Sequence, residues 1–131
     1  MNGTLHHIEI YVSDLKRSTE FWSWLLTEKF SYTEFQKWEQ GVSFKLGETY
    51  IVFVQTEEKH LDAEYHRKKT GLNHLAFHCD SKELIETLTK ELKEKNVKIL
   101  YEDKHPYAGG DDYCAVFFED PDRIKVEVVL N

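Results

Sequence analysis

Cysteine is scarce in this chain. Cys79 and Cys114 are the only two, and they stand far apart with no Cys-x-x-Cys spacing. That leaves no cysteine-based metal motif. Two buried thiols in a reducing cytoplasm are the expectation. Long apolar runs are missing as well. Nothing approaches the roughly 20 residues that a membrane-spanning helix needs. The N-terminus lacks the basic-then-apolar order of a signal peptide, so neither a membrane partner nor export is expected. Positive charge is outweighed: 17 Lys and Arg against 24 Asp and Glu give a net charge of −7. A sequence-independent hold on nucleic acid or an anionic membrane is therefore excluded. Arg67-Lys68-Lys69 is a short basic run that reads as a solvated loop or helix end.

What is present is a globular composition, 40% hydrophobic and 14% aromatic. A chain of 131 residues favours one domain with a real core. Its most informative feature is a repeat. Leu5-His6-His7-Ile8-Glu9-Ile10-Tyr11-Val12-Ser13-Asp14 is echoed by Leu72-Asn73-His74-Leu75-Ala76-Phe77-His78-Cys79-Asp80-Ser81. Each is a strand-like run ending in Ser and Asp, followed by a helix-like segment. Such self-similarity marks duplicated architecture.

The first half reads as strand, helix and three strands. Ile8, Ile10 and Val12 alternate with His7, Glu9 and Tyr11, the period of a strand with one face on a core. Ser13 and Asp14 are helix N-cap residues. A helix is predicted from Leu15 to about Lys29, with Phe21, Trp22, Leu25 and Leu26 on its stripe. Strands are predicted over 30–35, 42–46 and 49–55, with Gly47-Glu48 as a turn. Residues 56–71 read as a polar connection holding a short helix over 62–69. The second half repeats the plan, with a strand over 73–79 and a helix capped by Asp80 and Ser81 that runs through Lys95. Strands follow over 97–101, 114–118 and 124–130, with a loop over 103–112. The expected organisation is a single domain, 1–131, of two modules at about 1–56 and 72–131.

The helices need an apolar partner surface, so each first strand turns its polar side the other way. That side carries His7, Glu9 and Tyr11 in one module, and His74, Ala76 and His78 in the other. The last strand adds Lys125, Glu127 and Val129. On the fourth strand the same parity assigns Ile51, Phe53 and Gln55. If the strands curl around one cleft, His, Glu, Tyr and Gln line it. Two imidazoles and a carboxylate suit a divalent first-row ion such as Zn²⁺, Ni²⁺, Mn²⁺ or Fe²⁺, with positions open for substrate. His74 and His78 share a strand face but stand ~13 Å apart at about 3.3 Å per residue, so they cannot hold one ion together. His6, His60, His66 and His105 read as structural or solvated. His105 and Tyr107 sit on a loop with reach toward a substrate.

These motifs, with Phe118-Glu119-Asp120-Pro121-Asp122-Arg123-Ile124-Lys125-Val126-Glu127, resemble the vicinal oxygen chelate superfamily. That group spans glyoxalases, bleomycin-resistance proteins, fosfomycin-thiol transferases, an epimerase and extradiol dioxygenases. The resemblance covers nearly the whole chain. It implies an α+β, glyoxalase-like fold, with two βαβββ modules forming a curved eight-stranded mixed sheet around a metal cleft. It also implies one divalent metal ion held by His7, His74 and Glu127. A fourth ligand position falls on the fourth strand, where Gln55 is the residue able to ligate and where the register equally admits Phe53.

The implied activity is bidentate chelation of a small oxygen-rich substrate with stabilisation of an oxyanion or enolate, as in a lyase, isomerase, epimerase or thiol transferase. Glu127 is the implied catalytic base, with Glu9 as a second candidate. A non-catalytic binding protein or a small extradiol-type dioxygenase are the alternatives. A cytoplasmic homodimer with a small-molecule substrate is the expected setting.

Overall fold

Alternation decides the first strand. In β1 (His7–Val12) the side chains of Ile10 and Val12 are buried, while His7, Glu9 and Tyr11 are exposed. The computed structural model describes residues 1–131, which divide into two compact units, Met1–Glu64 and Tyr65–Asn131. Both units follow the expected β-α-β-β-β order. The eight strands hydrogen-bond as two four-stranded sheets. No helix is long and apolar enough to cross a membrane.

In the first unit, the Asp14 carboxylate accepts the Arg17 backbone N–H at 3.2 Å and starts α1 (Leu15–Ser23). The predicted helix does continue to Lys29, but residues Trp24–Lys29 widen into a π-helical turn. The Thr27 hydroxyl donates to the Ser23 carbonyl at 2.6 Å, and the Phe30 N–H reaches back to Leu25. Side-chain bonding of this kind competes with the i−4 ladder. Trp22, Leu25 and Leu26 are fully buried.

Three strands complete the unit: β2 (Thr33–Trp38), β3 (Gly41–Leu46) and β4 (Thr49–Gln55). The sheet order is β1-β4-β3-β2, with β1 and β4 parallel. β2 begins three residues later than expected. It is an edge strand exposed along its whole length, so no apolar alternation marked it. Its place comes from pairing with β3, through a register shift between Glu34 and Gln36. The helix expected over 62–69 does not form. One 3₁₀ turn, Glu58–His60, lies in the connection instead.

The second unit opens with β5 (His74–Cys79). The Ser81 hydroxyl accepts the Leu84 N–H at 3.2 Å and caps α2 (Lys82–Glu94). The other end of α2 closes as a Schellman motif. Val97 N–H bonds the Leu92 carbonyl, Asn96 N–H bonds that of Lys93, and Asn96 takes φ 60°. β6 is only Ile99–Leu100, shorter than expected because Tyr101 turns left-handed at φ 55°. β7 (Ala115–Glu119) and β8 (Lys125–Leu130) join through a turn built on Asp120. The Asp120 Oδ1 accepts the N–H groups of both Asp122 and Ile124 at 2.8 Å. The sheet order is β5-β8-β7-β6, and β5 runs parallel to β8.

Register corrects one expectation. In β1 and β4, His7 pairs with Tyr50 and Val12 with Gln55. Paired neighbours share a sheet face. Tyr50, Val52 and Val54 therefore lie on the side of His7, while Ile51, Phe53 and Gln55 lie on the helix side. Phe53 stacks on Trp22 of α1 with ring centroids 4.9 Å apart. The Gln55 amide is consumed at the start of α1. Its Oε1 accepts the Leu15 N–H at 2.8 Å, and its Nε2 donates to the Ser13 carbonyl at 2.9 Å. Gln55 thus ties β4 to the β1–α1 turn, facing away from His7. Gln55→Ala is expected to lower stability by about 1–2 kcal/mol through the orphaned helix N–H. Thermal melts of the metal-free protein check this, and metal stoichiometry is expected to stay unchanged.

Candidate metal centre

The second sheet brings two of the expected ligands together. β5 and β8 run parallel with Ala76 beside Glu127 and His74 beside Lys125. His74 and Glu127 therefore share the sheet face that the sequence assigned to them. His74 Nε2 lies 3.4 Å from Glu127 Oε1.

The imidazole is held from behind. His74 Nδ1 is 2.7 Å from Asn73 Oδ1, and Asn73 Nδ2 donates to the Arg67 carbonyl at 3.0 Å. The second bond orients the Asn73 amide, so its oxygen faces the ring and must accept from Nδ1–H. In the neutral ring, Nε2 then keeps a lone pair directed to the Glu127 side. Arg67 is anchored in turn by an ion pair with Glu119 at 2.6 Å.

Glu127 is only 4% exposed. A carboxylate is rarely buried without partners. Here Oε1 faces His74 and Oε2 accepts a hydrogen bond from the Tyr113 hydroxyl. That hydrogen bond, then burial, then the charge of Glu127 raise the Tyr113 phenol above its usual pKa.

The rest of this face is apolar except for Lys125, Glu119 and His78. The cross-sheet row through Glu127 contains Phe117 and Leu100. Leu100, Ala115 and Phe117 form a small core, with Ala108 and Val129 packed against it. Lys125 donates to the Tyr101 hydroxyl at 3.3 Å and lies over the rings of Tyr101 and Phe117.

The remaining candidates are elsewhere. His7 belongs to the first unit, where it stacks flat on Tyr50 at 4.7 Å and meets His6, Nδ1 to Nδ1, at 2.8 Å. Glu9 stands exposed on the same strand face. Within either unit, no group of three His, Cys, Asp or Glu side chains gathers at one point. His78 Nδ1 contacts Asn131 Oδ1. His105 is half-buried near Thr89 of α2, and burial together with Lys93 lowers its pKa.

Two site residues escaped the sequence reading. Asn73 could have been flagged, because a carboxamide next to a candidate ligand is a natural orienting partner. Tyr113 carries no such signal, being 14 residues from Glu127 across an irregular loop.

Known proteins agree with the fold. The profile of the Glyoxalase/Bleomycin resistance protein/Dioxygenase superfamily matches residues 4–128. The chain belongs to that superfamily. The protein YqjT of Bacillus subtilis (strain 168) is 54% identical over 125 residues, covering 95% of this chain and 97% of YqjT. The crystal structure of a candidate glyoxalase from Bacillus halodurans superposes with a TM-score of 0.97 at 54% identity, over 99% of this chain and 97% of that one. A point mutant of the fosfomycin resistance protein FosX from Listeria monocytogenes shares the fold with a TM-score of 0.70 at 22% identity, over 98% of this chain and 90% of that one. That FosX was crystallised with Mn(II) and 1S,2S-dihydroxypropylphosphonic acid, so members of the superfamily bind a divalent metal.

Proposed function

We propose that this protein is a divalent-metal-dependent enzyme acting on a small, oxygen-rich substrate. The observation that carries the reading is the His74–Glu127 pair, with Nε2 and Oε1 at 3.4 Å and the far side of the imidazole tied to Asn73. Two electron-pair donors at this distance repel unless a cation or proton lies between them. The span would admit a divalent ion held by both groups. An imidazole and a carboxylate fit a divalent first-row ion such as Zn²⁺, Ni²⁺, Mn²⁺ or Fe²⁺. His7 enters as a third ligand on the family resemblance. His6 engages its Nδ1, which leaves Nε2 as the ligating nitrogen.

When bound, such an ion would supply a Lewis acid for paired substrate oxygens and would favour oxyanion or enolate chemistry. The chain supplies the rest. Glu127 is a displaceable ligand whose Oε1, when not ligating, can take a proton α to a carbonyl, with Glu9 as a second candidate base. Phe117, paired with Glu127 across the β7–β8 ladder, is its apolar neighbour. Lys125 offers a cation to an anionic substrate group. A cytoplasmic homodimer belongs to the same reading, supported by the resemblance and by two free, buried cysteines.

The test is metal content. Protein purified without an affinity tag is expected to carry or take up about one ion per site. An ion at one hundred times its Kd stabilises by about 2.7 kcal/mol, a Tm rise of about 10 °C. No bound metal and no Tm shift with Zn²⁺, Ni²⁺, Mn²⁺ or Fe²⁺ would sink the reading. Thiol adducts of methylglyoxal, acyl-CoA thioesters, fosfomycin with thiols, and catechols are the substrates to screen.

A further inference from the structure

We propose that Tyr113 is a positioning residue that holds Glu127 as a one-oxygen ligand, and that the loop before β7 is shaped to seat it. The inference rests on the metal reading above.

A free carboxylate can rotate, and it can chelate through both oxygens. Here the Tyr113 hydroxyl takes Oε2, and Oε1 alone faces His74. One-oxygen ligation leaves more of the ion's coordination sphere open to substrate. Orienting partners of this kind commonly set metal affinity.

The loop is built around this contact. A Cβ on Gly109 would sit 2.9 Å from Cε1 of the Tyr113 ring and closer still to Cδ1. Gly109 is not in the left-handed region, so its backbone accepts other residues. What excludes a side chain there is the tyrosine ring itself. The Tyr113 N–H bonds the Gly110 carbonyl at 3.0 Å, and the Ala115 N–H bonds that of Pro106 at 2.9 Å. Ala108 packs onto Leu100, Ala115 and Phe117 and pins the loop to the sheet face that bears Glu127. Tyr113 is 40% exposed, so water could satisfy its hydroxyl. The hydroxyl is committed to the buried carboxylate instead.

Tyr113→Phe removes that single hydroxyl, and Gly109→Ala displaces the ring that carries it. Zn²⁺ titrations by calorimetry are expected to show each variant binding about 10–100-fold more weakly than the native chain, as for loss of an outer-shell partner. The double variant should be no weaker than the stronger single effect. The Co²⁺-substituted visible spectrum should change in Tyr113→Phe. Native affinity together with a native Co²⁺ spectrum in Tyr113→Phe overturns the positioning role. Failure of the native protein to bind Zn²⁺ or Co²⁺ overturns the metal reading, and this inference with it. The two failures are thereby distinguished.

Discussion

Alanine at His74 is expected to cost the protein more than about 100-fold in affinity for a divalent ion, beyond what loss of an outer partner costs. His74 presents Nε2 toward Glu127 Oε1, and no other imidazole of the second unit stands in that relation to the carboxylate. Its side chain is 35% exposed, so little packing is lost with it. Any change in the metal-free Tm then reports the loss of a partner for the buried Glu127 carboxylate rather than lost packing. Asn73→Ala is a graded companion. It keeps the ligand and removes only the orientation of the ring, so about 10–100-fold is expected. Metal analysis after dialysis checks both. Unchanged stoichiometry and affinity in His74→Ala would remove His74 from the site.

Trp22→Ala is expected to cost about 3–5 kcal/mol, the range for deleting a large buried aromatic. Trp22 is wholly inaccessible to solvent. It stacks on Phe53 of β4 and meets Phe21 edge-on at 5.3 Å. Phe53 in turn lies 6.2 Å from Phe44 on β3. Removing the indole leaves a cavity where the first helix meets its sheet. Domains of this size are stable by only about 5–15 kcal/mol, so a large part of the total goes with it. Urea unfolding followed by circular dichroism checks this as a fall in midpoint with little change in slope. A loss below about 1 kcal/mol would mean that Trp22 is not the keystone of this core.

Elements with strong local patterns were legible before the structure. The two His-bearing strands alternate apolar with polar residues. Their helices start at Asp14 and Ser81, the residues that cap them. The parity that set His74 and Glu127 on one face held, because both strands put a continuous apolar face on a helix. The same argument failed for Gln55. β4 is Thr49–Gln55, apolar on both faces through Ile51, Val52 and Phe53, so alternation there did not say which side was which. Only the pairing of His7 with Tyr50 decided it. β2 was misplaced for the opposite reason, since an exposed edge strand has no buried face to read.

By itself, then, the sequence determined the duplicated βαβββ plan, the histidine at the head of each module and the carboxylate on the last strand. These follow from periodicity and capping, which act over a few residues. Tertiary structure alone decided that Gln55 secures a helix start, that Asn73 orients His74, and that Tyr113 reaches Glu127. Strand register and the course of a loop bring those groups together, and neither leaves a local pattern in the chain.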